Sequence, residues 1–317
     1  MTVAAGYMSL SAMLPLLLVI GVGFVLKVTL LKDQAIWNAI DQLNFTILIP
    51  ALIIANLIGA DMASIPGGQI TLLVIAALGI VAMVAVICGL ILPPLRTNAP
   101  AFTSVFQTVT RWNASIAIVI CSLLFPDNAV AIVAIMMITI MPLVNLLNIW
   151  LMVRWLDKAG ASPLAVMIKV LTNPIIIGCL IGIAVALSPV NMPPPIVQPV
   201  AQLGDASIAT ILLSLGAGLR RVRLGRDIIA IALSCLLRLV LAPSAVLGGG
   251  MLLSVDPDIL AVTTIAMAMP TAANGYVMAQ KMGGDAPLYA SICALQTSLA
   301  MITIPIWLHV CLTLLPV

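Results

Sequence analysis

Residues 258–281 read DILAVTTIAMAMPTAANGYVMAQK. The run is long and apolar enough to cross a bilayer, which takes about 20 residues as a helix. Yet Met269-Pro270-Thr271 and Asn274-Gly275 stand in its middle. Proline removes a backbone hydrogen bond and clashes with the preceding turn, and glycine accepts the backbone angles of a break. The spacing predicts an interrupted helix, and irregular backbone at membrane depth survives only where protein or a water-filled cavity covers it. A packed kink tied down by neighbouring Ser and Thr is the plainer reading of this segment alone. A second interruption tips the balance. Residues 101–124 carry Gln107-Thr108-Val109-Thr110-Arg111-Trp112-Asn113-Ala114-Ser115 in the middle of another apolar run. Corresponding interruptions in the two halves of a membrane chain point to a transport site, because freed helix N-termini offer N–H groups to an anion.

Composition agrees with a chain that lives in lipid. Of 317 residues, 63% are hydrophobic and 7% charged, and the mean hydropathy is +1.27, whereas a soluble domain is about one quarter charged. The length holds about ten spans of bilayer-crossing size and no large aqueous domain. Thirteen basic residues against ten acids, every one of them Asp, are too scattered for a nucleic-acid surface. The six cysteines, Cys88, Cys121, Cys179, Cys235, Cys293 and Cys311, stand singly with no CxxC spacing and read as small core residues. No basic residue precedes Lys27, so the first apolar run is expected to be a span and not a cleaved leader.

Charges, Pro and Gly cut the chain into ten apolar segments: 9–27, 37–59, 68–93, 101–124, 129–153, 164–187, 195–219, 228–252, 258–281 and 286–315. Basic residues near span ends stay on the cytoplasmic side. Lys27, Lys32, Arg96, Arg154, Lys158, Lys169, Arg220, Arg221, Arg223, Arg226 and Lys281, eleven of the thirteen, fall in alternate connections. The expectation is an all-α, multi-pass plasma membrane protein with ten transmembrane helices and both termini on the non-cytoplasmic side; in a bacterial cell this is the inner membrane. The Arg220–Arg226 group reads as an anchor facing anionic lipid.

Weak echoes recur at an offset of about 160 residues, as expected when five helices repeat upside down. Pro15 and Gly21 answer to Pro174 and Gly178, Gln42-Leu43-Asn44 to Gln202-Leu203-Gly204, Asn113 to Asn274, Asp127 to Asp285 and Pro142 to Pro305. Their common order favours two inverted five-helix repeats, residues 1–158 and 159–317, intertwined as one transmembrane domain.

Several strings together resemble the auxin efflux carrier family of membrane transporters: NFTILIPALIIANL (44–57), RWN (111–113), NPIIIGCLIGIAVAL (173–187), LLSLGAGL (212–219) and MPTAANGYVMAQKMGGD (269–285). The resemblance implies ten helices in two inverted repeats, with segments 4 and 9 interrupted and crossing near the midplane. It also implies a homodimer, and export or exchange of small organic anions such as auxin-like acids, malonate or malate. The scaffold is shared with sodium bile-acid symporters and sodium/proton antiporters. Family sites carry over to Asn113 and to the stretch from Pro270 to Gly275. Where the family usually has Gly-x-Pro after the Asn, Ile118-Val119-Ile120 stand here, which leaves two geometries open for segment 4: unwinding about Asn113, or a nearly straight helix.

Three charges lie deep in spans, and such charges normally face a partner or a wet cavity. Arg111 is about ten residues, some 15 Å of helix rise, from either end of its segment. Its guanidinium can grip a carboxylate through two parallel hydrogen bonds, or else cap broken-helix carbonyls or pair with Asp205. Asp205 and Arg238 lie on consecutive, oppositely directed segments and read as a buried ion pair, the alternative being proton coupling through Asp205. Asn113, Ser115, Thr271 and Asn274 supply donors and acceptors suited to a carboxylate or to a coordinated cation. The candidate substrate-binding set is therefore Arg111, Asn113, Ser115, Pro270, Thr271, Asn274 and Gly275, with no cofactor and no bound metal. His309 reads as a core residue.

The leading function is a secondary transporter of small carboxylates working by alternating access. A potential of about 100 mV, negative inside, is worth roughly 2.3 kcal/mol per charge and favours exit of an anion, so uncoupled or proton-linked efflux is expected. The alternative is a sodium-coupled organic-anion symporter, with Asn113, Ser115 and Asn274 as sodium ligands. An intramembrane enzyme is disfavoured: one His and no Glu exclude an HExxH zinc site, and Asp205 is the only acid deep in a span.

Overall fold

The computed structural model describes residues 2–58, 65–125, 128–156, 164, 168, 171–188, 192–218, 227–273 and 275–315. Lys158, Lys169, the Arg220–Arg226 group, Asp127 and Asn274 lie outside the described residues. Those described are helical with short connections. In chain order the helices are α1 (Thr2–Thr29), α2 (Gln34–Ile58), α3 (Gly67–Ile91), α4 (Ala99–Thr110), α5 (Ala114–Leu124), α6 (Ala129–Leu156), α7 (Pro174–Ala186), α8 (Pro194–Ala217), α9 (Ile228–Leu252), α10 (Pro257–Met267), α11 (Gly275–Met282) and α12 (Ala286–Leu314). A single helical turn, Pro93–Arg96, links α3 to α4.

The starts of these helices are written in the sequence. Asp33, Asn98, Asn113, Asn173, Asp256 and Asp285 each accept a hydrogen bond from a first-turn N–H, the ordinary work of Asp and Asn at a helix N-terminus. Four of the six are followed within two residues by proline, which suits the first turn because its missing N–H has no partner there anyway. Three of the ten Asp residues, Asp33, Asp256 and Asp285, thus serve as caps.

Six helices are long and apolar enough to cross a membrane: α2, α3, α6, α8, α9 and α12. Of the remaining apolar segments, 4 and 9 are each split in two. Segments 1 and 6 are described over shorter apolar stretches, Leu18–Thr29 and Pro174–Ala186. The side-chain distribution departs from that of a soluble protein: large apolar side chains are exposed, and several polar ones lie within the mostly apolar core. Leu72, Trp150 and Ile302 are about 60% exposed, whereas Thr108, Arg238 and Gln296 have no exposure at all. Apolar groups outside and polar groups inside suit a hydrocarbon solvent.

Two helices carry a π-helical turn, Asn44–Leu48 in α2 and Leu237–Leu241 in α9. Each is followed, one residue later, by a proline, Pro50 and Pro243. Proline deprives the preceding turn of a donor, and the wider turn absorbs the defect through the Ile49-to-Asn44 and Ala242-to-Leu237 bonds. One extra residue per turn also shifts the side chains that follow to a new face, and Arg238 lies within the turn of α9, fully buried.

The helices sort into two groups by packing. Helix α1 packs on α8, and α2 on α7 and α8. In the other group α3 packs on α4, α6 and α9, while α12 packs on α4, α9, α10 and α11. The groups meet where α1 touches α12, α2 touches α6 and α8 touches α5. Small residues allow the closest approach: a Cβ at Gly23 would overlap the Leu213 carbonyl oxygen, and one at Gly216 would overlap the Ile20 carbonyl oxygen and lie 2.8 Å from the Phe24 nitrogen.

Candidate substrate site at two facing helix breaks

Both expected interruptions are present. Helix α4 ends at Thr110, Arg111 is extended (φ −75°, ψ 148°), and α5 restarts at Ala114 with Asn113 as its cap. Of the two geometries open for segment 4, the chain takes the one unwound about Asn113. Ile118, Val119 and Ile120 continue α5 as fully or nearly fully buried core, so this break needs no Gly-x-Pro. In the other segment α10 ends at Met267 and α11 restarts at Gly275.

The breaks face one another. The Asn113 N–H donates to the Pro270 carbonyl at 2.8 Å, joining the two non-helical stretches directly. On either side of that bond α5 packs against α10 and α11 against α4, so each half of one segment meets the opposite half of the other. Asn113 Oδ1 accepts from Ile116 N–H at 3.2 Å. Asn113 and Ser115 remain partly accessible amid buried neighbours at the start of α5.

Three side chains brace the second break. Gln296 of α12 accepts the Thr271 N–H at 2.9 Å. Its amide nitrogen donates to the Thr108 carbonyl at 3.3 Å, the Ser234 carbonyl at 3.1 Å and the Ser234 hydroxyl at 3.0 Å. One amide thus ties together both breaks, α9 and α12. Tyr289 donates to the Ala272 carbonyl at 2.5 Å and lies 3.2 Å from the Thr271 hydroxyl. Gly275 packs so closely on the Tyr289 hydroxyl that a Cβ would overlap it. The third brace is Arg238, whose Nη2 donates to Met267 O at 2.7 Å, Nε to Met269 O at 2.9 Å and Nη1 to Val109 O at 3.5 Å.

The buried ion pair expected between Asp205 and Arg238 is therefore corrected. Arg238 turns to three backbone carbonyls, and Asp205 sits exposed on α8. The carbonyls freed at the ends of α4 and α10 take up the guanidinium's donors, so it faces the helix breaks. Capping of broken-helix carbonyls, one role open to Arg111, belongs to Arg238 instead.

Arg111 is left in a different state. It is 7% exposed, one Nη lies 3.1 Å from the Met278 thioether, and its Nε is buried with no hydrogen-bond partner among the described residues. The indole N–H of neighbouring Trp112 is likewise buried and unpartnered among the described residues. A thioether is a weak acceptor, and no carboxylate pairs with the guanidinium among the described residues. Arg111, Asn113, Ser115, Pro270, Thr271 and Gly275 are thus gathered at one place, Asp205 is not, and Asn274 lies outside the described residues. Gln296, Tyr289, Trp112, Ser234 and Thr108 complete the neighbourhood. A polar residue inside an apolar segment was the available signal for Gln296 and Ser234. No group of three or more His, Cys or Asp side chains that could hold a metal gathers among the described residues.

The Gln296 node makes a quantitative expectation. Gln296→Leu leaves the Thr271 N–H without an acceptor and withdraws a donor from Thr108 and Ser234. Each orphaned buried group costs about 1–3 kcal/mol. The variant is expected to melt well below wild type in detergent, whereas Gln296→Glu, which keeps the acceptor oxygen, is expected to fall between the two.

Described residues that are helical throughout, several of their helices of bilayer length, with two facing breaks and a buried cation unpaired among the described residues, have the build of a multi-pass membrane transporter. Residues 160–308, from before α7 to within α12, match the family model described as membrane transport protein, the auxin efflux carrier family domain. That match indicates a membrane transporter, and it contains Arg238, the Pro270–Gly275 stretch, Tyr289 and Gln296. No curated protein matches the chain.

Proposed function

We propose that the protein carries a small organic carboxylate across the membrane, with the anion held between the two helix breaks. The observation that carries this reading is Arg111. A buried guanidinium without an anionic partner among the described residues is costly to maintain, and it stands on a non-helical bridge beside the N-terminus of α5, where helix dipoles favour negative charge. A carboxylate completes the missing pair. Asn113, Ser115 and Thr271 add donors and acceptors from both breaks, and Gly275 keeps the entry to α11 narrow.

Transport follows from the same arrangement. The ten apolar segments, read as two inverted five-helix repeats over 1–158 and 159–317, place one break in each repeat. Alternating access then means the group holding both breaks moving against the group of α1, α2, α7 and α8, with the substrate travelling on Arg111. The membrane potential drives an anion outward, so efflux is the favoured direction. The alternation of basic connections supports both termini lying outside the cytoplasm.

The test is electrical. Purified protein in proteoliposomes on a solid-supported membrane is challenged with acetate, indole-3-acetate, malonate, malate and a neutral amide control. Saturable charge movement with one or more carboxylates and none with the amide is the expected result. Absence of any carboxylate-evoked current from folded protein would overturn the reading.

A further inference from the structure

Arg238 is doing for the two breaks what a bound cation does in transporters built on interrupted helices. There, unwound carbonyls and half-helix C-termini coordinate the coupling ion. Here the carbonyls in question, Met267 and Met269 at the end of α10 and Val109 in the last turn of α4, all point at one guanidinium. Resting on the transport reading above, we infer that Arg238 is a tethered replacement for a coupling cation, occupying its carbonyl site so that carboxylate transport proceeds without sodium.

Charge arithmetic fits. Each helix C-terminus carries about half a negative elementary charge, and two such ends converge on this one positive side chain. No acid competes for it, since Asp205 is exposed on α8 and no ion pair to Arg238 exists among the described residues. Position fits too. Arg238 has no exposed surface, so the site is filled from inside the protein and closed to exchange, whereas a mobile ion needs an open path. Arg111, by contrast, is unpaired and lies against α11. The two arginines divide the breaks between them: Arg238 neutralises the C-terminal ends, and Arg111 with the N-terminal ends is left to receive an anion. Arg238 is thus a positioning residue, acting on substrate through the backbone that it holds.

The inference predicts that the site can be vacated and refilled. Arg238→Ala removes the guanidinium and leaves carbonyls and space behind. Thermal denaturation of the purified full-length protein is compared in equal millimolar sodium, guanidinium and choline chloride. Wild type is expected to melt at the same temperature in all three. Arg238→Ala is expected to melt lower in choline and to be raised by sodium or guanidinium. Wild type stabilised by sodium over choline would overturn the inference, as would a cooperatively melting Arg238→Ala indifferent to both cations. If the alanine variant does not fold, Arg238→Gln, which keeps donors without the charge, is read in its place by the same criteria, and the wild-type arm decides if neither folds.

Transport supplies the functional arm. Wild-type carboxylate current is expected to be equal in sodium and choline. Arg238→Ala is expected to lose about tenfold or more in choline, the equivalent of one charge-assisted hydrogen bond, and to regain current in sodium. The melts contain no carboxylate, so a wild type that moves none defeats the transport reading alone, while a sodium-stabilised wild type defeats the Arg238 inference alone.

Discussion

Arg111→Gln is expected to bind carboxylates about 100-fold more weakly than wild type, the affinity equivalent of roughly 3 kcal/mol, while folding normally. The magnitude follows from what is lost. Hydrogen bonds to a charged group contribute about 1.5–3 kcal/mol each, and a guanidinium offers a carboxylate two in parallel. The stability of the protein should not suffer, because among the described residues the Arg111 side chain has only the Met278 thioether as a hydrogen-bond partner and its Nε has none. Removing a buried, uncompensated charge relieves the apo protein, so its melting temperature is expected to hold or rise. Arg111→Lys keeps the charge but not the planar fork and is expected to be intermediate, about tenfold weakened. Titration of carboxylate-evoked current and a melt of each variant check both halves. Unchanged apparent affinity in Arg111→Gln would remove Arg111 from the site.

Gly216→Val is expected to prevent stable assembly of α1 with α8. The space for a side chain at Gly216 is occupied by backbone, the Ile20 carbonyl and the Phe24 nitrogen, and Gly23 answers from α1 against Leu213. A flexible side chain could swing aside, but a helix backbone moves only as a body, so the whole α1–α8 contact must open. Overpacking of this kind costs about 3 kcal/mol, a large share of the stability of any domain. Gly216→Ala is expected to express and melt lower, and Gly216→Val to aggregate on extraction, read by size-exclusion profiles in detergent. A monodisperse Gly216→Val with a wild-type melt would contradict the close approach of these two helices.

The two helix breaks were legible because their causes are local. Pro270 and Gly275 disfavour continuous helix wherever they stand, and Asn113 caps whatever helix follows it. The capping Asp and Asn residues mark helix starts for the same reason. Segment 4 was ambiguous from its residues, since Ile118-Val119-Ile120 has nothing against helix, and the break fell upstream of it at Arg111–Asn113. The Asp205–Arg238 pair illustrates where local reasoning stops. Both residues lie deep in apolar runs of opposite direction, and opposite charges at similar depth should attract. That argument assumed regular helices. Arg238 lies instead within the π turn at Leu237–Leu241, and backbone carbonyls at the broken ends of α4 and α10 outcompete a carboxylate on an exposed face.

By itself, then, the sequence determined that this chain resides in the membrane, where its apolar runs begin and end, and that two of them carry polar interruptions. These follow from hydropathy, proline geometry and capping, which act within a few residues. Only the tertiary structure decided which cation braces the breaks and which is left unpaired. It also recruited Gln296, Tyr289 and Ser234 from segments with no interruption of their own. The physical reason is that a buried polar group is defined by its partners, and those partners come from helices up to 188 residues apart in the chain.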